Sequence, residues 1–198
     1  MAQLLREYMA LSYDKNIVKE AKEKGLSITL KAPLQRADAV NQNHRVYPRP
    51  ILEREIQNYK KAIAEGRATG ELDHPESSIV SLQNVSHVIR EIWWNGDEVM
   101  GTVEILNTPK GKIAQDLIEG GVRLGISSRC VGEVQKDHEG HDVVDESLML
   151  IAFDLVSEPS TQNAWLSEGK QVDLDTIRKM VPKVDRISRI VNEILRKR

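Results

Sequence analysis

The sequence predicts an α+β fold in which an antiparallel sheet or small barrel carries a few helices, followed by a helical tail. Asn95-Gly96 separates two segments of strand character, and this dipeptide is the strongest short signal for a β-hairpin. Further strand-like segments occur at 123–134 and 148–156. The regular alternation of strands and helices that marks a doubly wound parallel sheet is absent. Hairpin pairing is therefore expected to dominate the fold.

The other predicted elements follow from periodicity and from residues that begin helices. Apolar residues at helical spacing predict a helix over 50–65, and Thr108-Pro109 begins a second predicted helix. Residues 26–40 are rich in β-branched side chains and predict an extended segment. Residues 1–25 carry a charged, partly helical pattern, so we expect an N-terminal helical extension there.

The last part of the chain has a different pattern. Two sets of apolar residues repeat every seven positions, which is typical of an amphipathic helix that packs on a partner. We therefore expect one domain over residues 26–167, then a linker and an amphipathic C-terminal helix over 168–198. The heptad residues are Ile177, Val184 and Val191 in one set and Met180, Ile187 and Ile194 in the other.

Composition limits the class of protein. The chain has 198 residues, of which 40% are hydrophobic and 29% charged, the balance of a globular protein. A net charge of -2 argues against nucleic acid or anionic lipid as a partner, and no apolar stretch approaches a membrane span. Cys130 is the single cysteine, which excludes an internal disulfide and fits a reducing cytoplasm. No motif predicts a cofactor or a metal centre.

Two polar segments combine residue types that hydrolases use. His74 follows a carboxylate and precedes a proline in a stiff loop, and imidazole is the usual general base near neutral pH. Ser127 lies in a strand flanked by Gly125 and Gly132, which lets a substrate backbone approach closely. The alternatives are a surface turn for the histidine and a bent strand with a locally bonded serine.

Asp154 is an acid within an otherwise apolar strand. A buried carboxylate must be paired or hydrogen-bonded, and orienting a histidine is one such use. A structural ion pair is the equally common alternative. Cys130 is a weaker candidate nucleophile, to be used with His74. His138 and His141 are weak metal candidates, and a solvated turn is the favoured interpretation of both.

Five segments, in order along residues 27–166, resemble the myovirus-type prohead core protease family, the maturation proteases of large tailed bacteriophages. Five ordered matches are more specific than any single motif. The segments are Asn41-Gln42-Asn43-His44-Arg45-Val46-Tyr47-Pro48, Gly70-Glu71-Leu72-Asp73-His74-Pro75, Trp93-Trp94, Gly125-Ile126-Ser127-Ser128-Arg129, and Pro159-Ser160 to Ala164-Trp165.

The resemblance implies a catalytic domain similar to herpesvirus assemblin, a β-barrel ringed by helices. It also implies a serine endopeptidase in which Ser127 is the nucleophile, His74 the base and Asp154 the third member. Ser128 is the next residue along the strand and should point to the opposite face. Two carboxylates nearer the histidine in sequence remain alternatives for the third member: Glu71 and Asp73.

Proteases of this family are expected to cut after glutamate in a short hydrophobic-x-Glu motif. The resemblance thus implies scaffold and major capsid precursors as partners, inside the assembling procapsid in the host cytoplasm. Leu166-Ser167-Glu168 precedes Gly169 in the predicted linker, so we expect self-cleavage there and loss of the tail. Leu5-Arg6-Glu7 is a second, weaker candidate. The tail would dock on scaffold or on another copy of the chain, forming a homo-oligomer, or pack on its own domain.

Three other functions compete with this interpretation. The assemblin-like barrel is related to tail-tube subunits, so the chain could be a non-catalytic structural phage protein. A scaffold-binding module with an inactive site and a thiol hydrolase using Cys130 are the others. A tube subunit would have no reason to combine His74, Ser127 and Asp154.

Overall fold

The computed structural model describes residues 2–75 and 77–157. Strands predominate over helices in this part of the chain. The elements are β1 (Gln3–Ala10), α1 (Lys15–Glu23), β2 (Thr29–Arg36), β3 (Arg45–Val46), α2 (Arg49–Ala64), β4 (Thr69–Glu71), β5 (Val85–Asn95), β6 (Glu98–Ile105), α3 (Pro109–Glu119), β7 (Leu124–Gly132), β8 (Val134–Lys136), β9 (Asp142–Val144) and β10 (Met149–Ser157).

The strands pair into three sheets. The first has the order β1-β7-β10, is antiparallel throughout and has β7 at its centre. The second has the order β2-β6-β5-β4 and is also antiparallel. The third is small, with the order β3-β9-β8 and a parallel β3-β9 pair. A short parallel bridge between Leu72 and Leu155 brings the end of β4 against β10.

The two faces of the β1-β7-β10 sheet have different surroundings. One face carries Leu5, Ile126 and Phe153, which belong to the main hydrophobic core. Burying a side chain of this size stabilises a fold by about 1.5–3 kcal/mol. Since side chains alternate along a strand, residues one position away point to the other face. Ser127 and Asp154 are cross-strand partners and share that second face.

The predicted hairpin and both central helices are confirmed. The turn between β5 and β6 is Gly96-Asp97, one residue later than predicted, because Asn95 is the last residue of β5. Gly96 has a φ of 60° that favours glycine. α2 spans Arg49–Ala64 and begins beside a proline. α3 begins after Thr108, whose hydroxyl accepts from Gly111 N at 3.0 Å as an N-cap. The strands predicted at 123–134 and 148–156 correspond to β7 and β10.

The predicted helical extension over residues 1–25 is wrong for its first half. Gln3–Ala10 forms β1, which pairs with β7 along its whole length, from Gln3↔Gly132 to Ala10↔Gly125. The local pattern is ambiguous in so short a segment, and pairing with a central strand overrides it. Only Lys15–Glu23 is helical, and Asp14 caps its start.

A closed barrel is not formed by the described residues, and the predicted tail lies beyond them. The α+β class is confirmed, but the pairings among the described residues form three sheets and no closed barrel. The C-terminal helix expected over 168–198 lies outside the described residues. Within residues 2–75 and 77–157, no helix combines the length and apolar character needed to cross a membrane.

Gly70 tests how tightly β4 must approach β10. A Cβ at this position would lie 2.0 Å from Phe153 O and 2.3 Å from His87 Nε2. Gly70→Ala should therefore destabilise the fold by about 3 kcal/mol, because it forces β4 away from β10. Urea unfolding measures the change.

Gly25→Ala is the matched control for Gly70→Ala. Gly25 has open space around it and only a φ of +64° to oppose a side chain. Its substitution should cost about 1 kcal/mol. Equal losses in the two variants would contradict the close approach at Gly70.

Candidate active site

Ser127 lies at the centre of the β1-β7-β10 sheet. Every residue of β7 is buried, and Ser127 is the cross-strand partner of Tyr8 on β1 and of Asp154 on β10. Its hydroxyl Oγ is buried and makes no hydrogen bond within the described residues. Leaving a buried hydroxyl unbonded costs about 1–3 kcal/mol, so the position carries a cost that packing alone does not explain.

Ser128 points to the opposite face, as the sequence predicts. Its Oγ accepts a hydrogen bond from Gln35 Nε2 at 2.9 Å on the core side of the sheet. The two adjacent serines therefore have different surroundings. Ser128 is bonded within the core, whereas Ser127 shares its face with Asp154.

The loop that follows β4 brings His74 to Asp154. Glu71 N donates to Asp154 Oδ1 at 3.1 Å, and Asp73 N donates to Leu155 O at 2.8 Å. These bonds fix the loop against β10. His74 Nδ1 then lies 3.2 Å from Asp154 Oδ2, with only 8% of the histidine side chain exposed. A carboxylate at Nδ1 places the proton on that nitrogen and leaves Nε2 as the basic one.

Several charges act on His74. Burial lowers the pKa of its imidazole from the usual 6.5, and the hydrogen bond and charge of Asp154 oppose that effect. Arg6 and Arg129 lower the pKa further, since a cation disfavours the protonated ring. The imidazole is therefore neutral at pH 7, the form that can accept a proton.

Arg129 is the buried cation of the site. It has no exposed side-chain surface, and its Nε lies 2.9 Å from Asp154 Oδ2. Its Nη2 donates to Glu71 Oε1 and Asp154 Oδ1, both at 3.1 Å. Nη1 donates to Ser77 O at 2.8 Å, in the loop that carries His74. One guanidinium thus joins β7 to β10, to β4 and to the histidine loop.

Glu71 and Asp73 were the alternatives for the carboxylate that orients His74, but their contacts are different. Glu71 Oε1 accepts from Arg129 and from Ser81 N, and Asp73 is exposed with a φ of 65°. The carboxylate against His74 Nδ1 is that of Asp154. The structure therefore brings His74 to Asp154, and Asp154 is the cross-strand partner of Ser127.

Cys130 is poorly placed for the thiol alternative. It lies on the core face of β7, three residues from Ser127, and is fully buried. Burial raises the pKa of its thiol well above the usual range, which disfavours the thiolate.

The histidines of the β8-β9 connection lie in a turn, as favoured from the sequence. His141 Nδ1 lies 3.1 Å from Asp137 Oδ2, and His138 is exposed. Among the described residues, no group of three or more histidine, cysteine, aspartate or glutamate side chains is arranged to hold a metal ion.

Of the two expected self-cleavage sites, only the one at Glu7 lies within the described residues. Glu168 and Gly169 lie outside the described residues. Glu7 lies in the middle of β1, and its carboxylate is buried in an ion pair with Arg45. A paired, buried strand is not accessible to a protease, so the folded domain does not offer Glu7 as a cleavage site.

Sequence reasoning missed the contribution of β1 to this face. Tyr8 faces Ser127, and its ring lies where a Cβ on Gly125 would be, since that atom would meet Tyr8 Cε2 at 1.9 Å. Arg6 is the partner of Arg129, and its Nη2 donates to Pro75 O at 2.7 Å. Alternation of side-chain character over residues 3–10 was the signal that could have predicted a strand, but it is weak beside the helical pattern.

Comparison with known proteins identifies a protease. A family model described as prohead core protein serine protease matches residues 11–174. The prohead core protein protease of Enterobacteria phage T4 is 30% identical over 169 residues, 79% of this chain and 79% of that protein. The solved structure of the bacteriophage T4 capsid assembly protease, gp21, has a TM-score of 0.69 at 26% identity, and the match covers 80% of this chain and 99% of that one.

The chain belongs to the prohead core protein serine protease family of bacteriophages, as the five sequence segments predicted. It is a protease of phage head maturation, and the structural tail-tube alternative is set aside.

Arg129→Met tests the buried cation. The variant leaves Glu71 and Asp154 buried without their shared counter-charge, and breaking a buried pair in this way costs about 4 kcal/mol. Urea unfolding measures the loss.

Arg67→Met removes an exposed cation paired with Glu65 and serves as the control. Its effect on the free energy of unfolding should stay within about 0.5 kcal/mol. A similarly small loss in Arg129→Met would contradict a large contribution of the buried cation to the free energy of unfolding.

Proposed function

We propose that the chain is a serine endopeptidase that cleaves scaffold and major capsid precursor proteins after glutamate, inside the assembling procapsid. The observation that supports it is the contact of His74 Nδ1 with Asp154 Oδ2, 3.2 Å long, on the strand directly beside Ser127. Histidine, carboxylate and serine in this arrangement are the parts of a nucleophilic triad. We also propose that the catalytic domain is similar to herpesvirus assemblin, including its β-barrel.

In the proposed reaction, His74 accepts the Ser127 proton while Ser127 Oγ attacks the scissile carbonyl. Asp154 holds the imidazole in the correct tautomer and stabilises the imidazolium that forms. The imidazolium then protonates the leaving amine, and water releases the acyl group from the serine. Backbone N–H groups near Arg129 or in the Pro159-Ser160 segment stabilise the oxyanion.

Self-processing is the second part of the proposal. The protease cuts between Glu168 and Gly169, within the hydrophobic-x-Glu motif, and sheds the heptad tail. Before cleavage, the tail docks the precursor on scaffold or on another copy of the chain. Nucleic acid, membrane and cofactor have no part in the proposed reaction, which takes place in the host cytoplasm.

Intact mass spectrometry of purified protein tests the nucleophile and the cut site together. The wild type should lose the fragment that begins at Gly169 during incubation, whereas Ser127→Ala and Glu168→Gln should stay whole. Ser127→Ala should lose at least about 10³-fold in rate, since it removes the attacking oxygen.

Ser128→Ala is the matched control for the nucleophile. It removes the neighbouring hydroxyl and one bond to Gln35, costing about 1 kcal/mol of stability but not activity. Equal clipping of wild type and Ser127→Ala would point to a contaminating protease, and an intact wild type would contradict tail shedding. Failure to cleave a glutamate-containing scaffold peptide as well would contradict the endopeptidase proposal.

The pH dependence of peptide cleavage tests the base. Since burial lowers the pKa of His74, the acid limb of kcat/KM should have its midpoint below 6.5. Asp154→Asn removes the effects that raise this pKa, so it should move the midpoint lower still. It should also reduce kcat by about 10⁴-fold through loss of the correct tautomer.

Asp116→Asn removes an exposed carboxylate on α3 and should leave both quantities unchanged. An acid limb at or above 6.5 in the wild type would contradict the assignment of His74 as the buried base.

A further inference from the structure

The N-terminal strand β1 lies next to the proposed nucleophile, although residues before 11 fall outside the family match. Its pairing with β7 sets Tyr8 opposite Ser127 and Arg6 opposite Arg129. Directly opposite residues in an antiparallel pair share a face, with Cβ atoms about 5 Å apart. β1 therefore contributes side chains to the same face as Ser127 and Asp154.

Arg6 connects that strand to the histidine loop. Its Nη2 donates to Pro75 O at 2.7 Å, and Pro75 immediately follows His74. The loop has a second attachment through Arg129, which donates to Ser77 O at 2.8 Å. The carbonyls on the C-terminal side of His74 are thus held by two guanidinium groups, one from each of two neighbouring strands.

The segment Asn41–Pro48 keeps β1 in place. It was singled out from the sequence, but it supplies no residue to the reaction. Asn43 Nδ2 donates to Arg6 O at 3.0 Å and to Glu7 Oε2 at 2.9 Å. Tyr47 OH donates to Glu7 Oε1 at 3.0 Å, and Arg45 forms a buried ion pair with the same carboxylate. The Asn43 bond holds the backbone of Arg6, and the other bonds hold Glu7, the next residue along β1.

We infer that Arg6 is a positioning residue of the protease, which holds the His74 loop against the nucleophile strand. This inference rests on the proposed function. The hydrogen bond to the carbonyl of Pro75, the residue after His74, supplies this effect. The charge of Arg6 also lowers the pKa of His74, which gives the role a readout besides activity.

The charged groups around His74 set the direction of the expected shift. Loss of the Arg6 cation raises the pKa of the imidazole, because less positive charge opposes its protonation. Asp154, Glu71 and Arg129 would remain and keep their own effects. Among the described residues, the charged groups around the loop are Asp154 on β10, Arg129 on β7, Arg6 on β1, Glu71 on β4 and Asp73 in the loop itself.

Two substitutions separate the hydrogen bond from the charge. Arg6→Gln removes the charge, so the acid limb of kcat/KM should move to higher pH. Arg6→Lys keeps the charge and should leave the limb in place. Both should lower kcat by about tenfold, since neither reproduces the reach of the guanidinium and small displacements of a base are costly.

Lys31→Gln is the control for net charge. Lys31 is exposed on β2, so its loss changes the formal charge equally but should move neither kcat nor the acid limb. A limb that moves with Lys31→Gln as with Arg6→Gln would overturn the inference. So would Arg6 variants with unchanged kcat and unchanged limb.

A titration without turnover keeps the inference separate from the proposed function. In a Ser127→Ala background, NMR of labelled histidine follows the His74 ring, assigned by comparison with a His74→Asn variant. Adding Arg6→Gln should raise the His74 pKa, and Arg6→Lys should not. An unmoved pKa overturns the role of Arg6. Cleavage retained in Ser127→Ala would overturn the proposed mechanism instead, and the two failures are therefore distinguishable.

Discussion

The arrangement of the site depends on one buried cation. Arg129 lies between Asp154 and Glu71 without exposed surface and also binds a carbonyl of the histidine loop. Two carboxylates in such a place would be prohibitively costly without it, because desolvation penalises each unpaired charge by several kcal/mol. The guanidinium supplies the opposite charge at hydrogen-bond distance from Asp154, which also contacts His74. The Ser-Ser-Arg motif therefore supplies both a serine and the counter-charge for the acid opposite it.

The period of a strand gives the two adjacent serines their different surroundings. Ser128 is bonded to Gln35 in the core, and Ser127 shares the opposite face with Asp154. A slip of one residue in the pairing of β7 would exchange the two. Pairing on both sides of β7 prevents such a slip, and the bonds of Glu7 to the segment Asn41–Pro48 hold β1 in register. The distant polar segment thus acts on the site through a strand.

Elements with strong local signals could be predicted from the sequence. The Asn95-Gly96 hairpin, α2 and α3 have turn residues, proline starts or a cap, and all three were confirmed. The choice of His74, Ser127 and Asp154 needed the family resemblance, since each alone had an ordinary structural alternative. β1 could not be predicted, because its partner is far away in the sequence and the local pattern favoured helix. The contacts of Arg129 were hidden for the same reason.

The positions of β1, β7 and β10 along the chain determine when the site can form during synthesis. β7 is made long after β1, and Tyr8 and Ser127 are about 120 residues apart. Asp154 lies on the last of the three strands, so a chain still on the ribosome has no complete site until residues near 157 have emerged. Non-local pairing of this kind is also intrinsically slow to form. The topology therefore delays the assembly of the proposed site during synthesis, before any inhibitor or partner is involved.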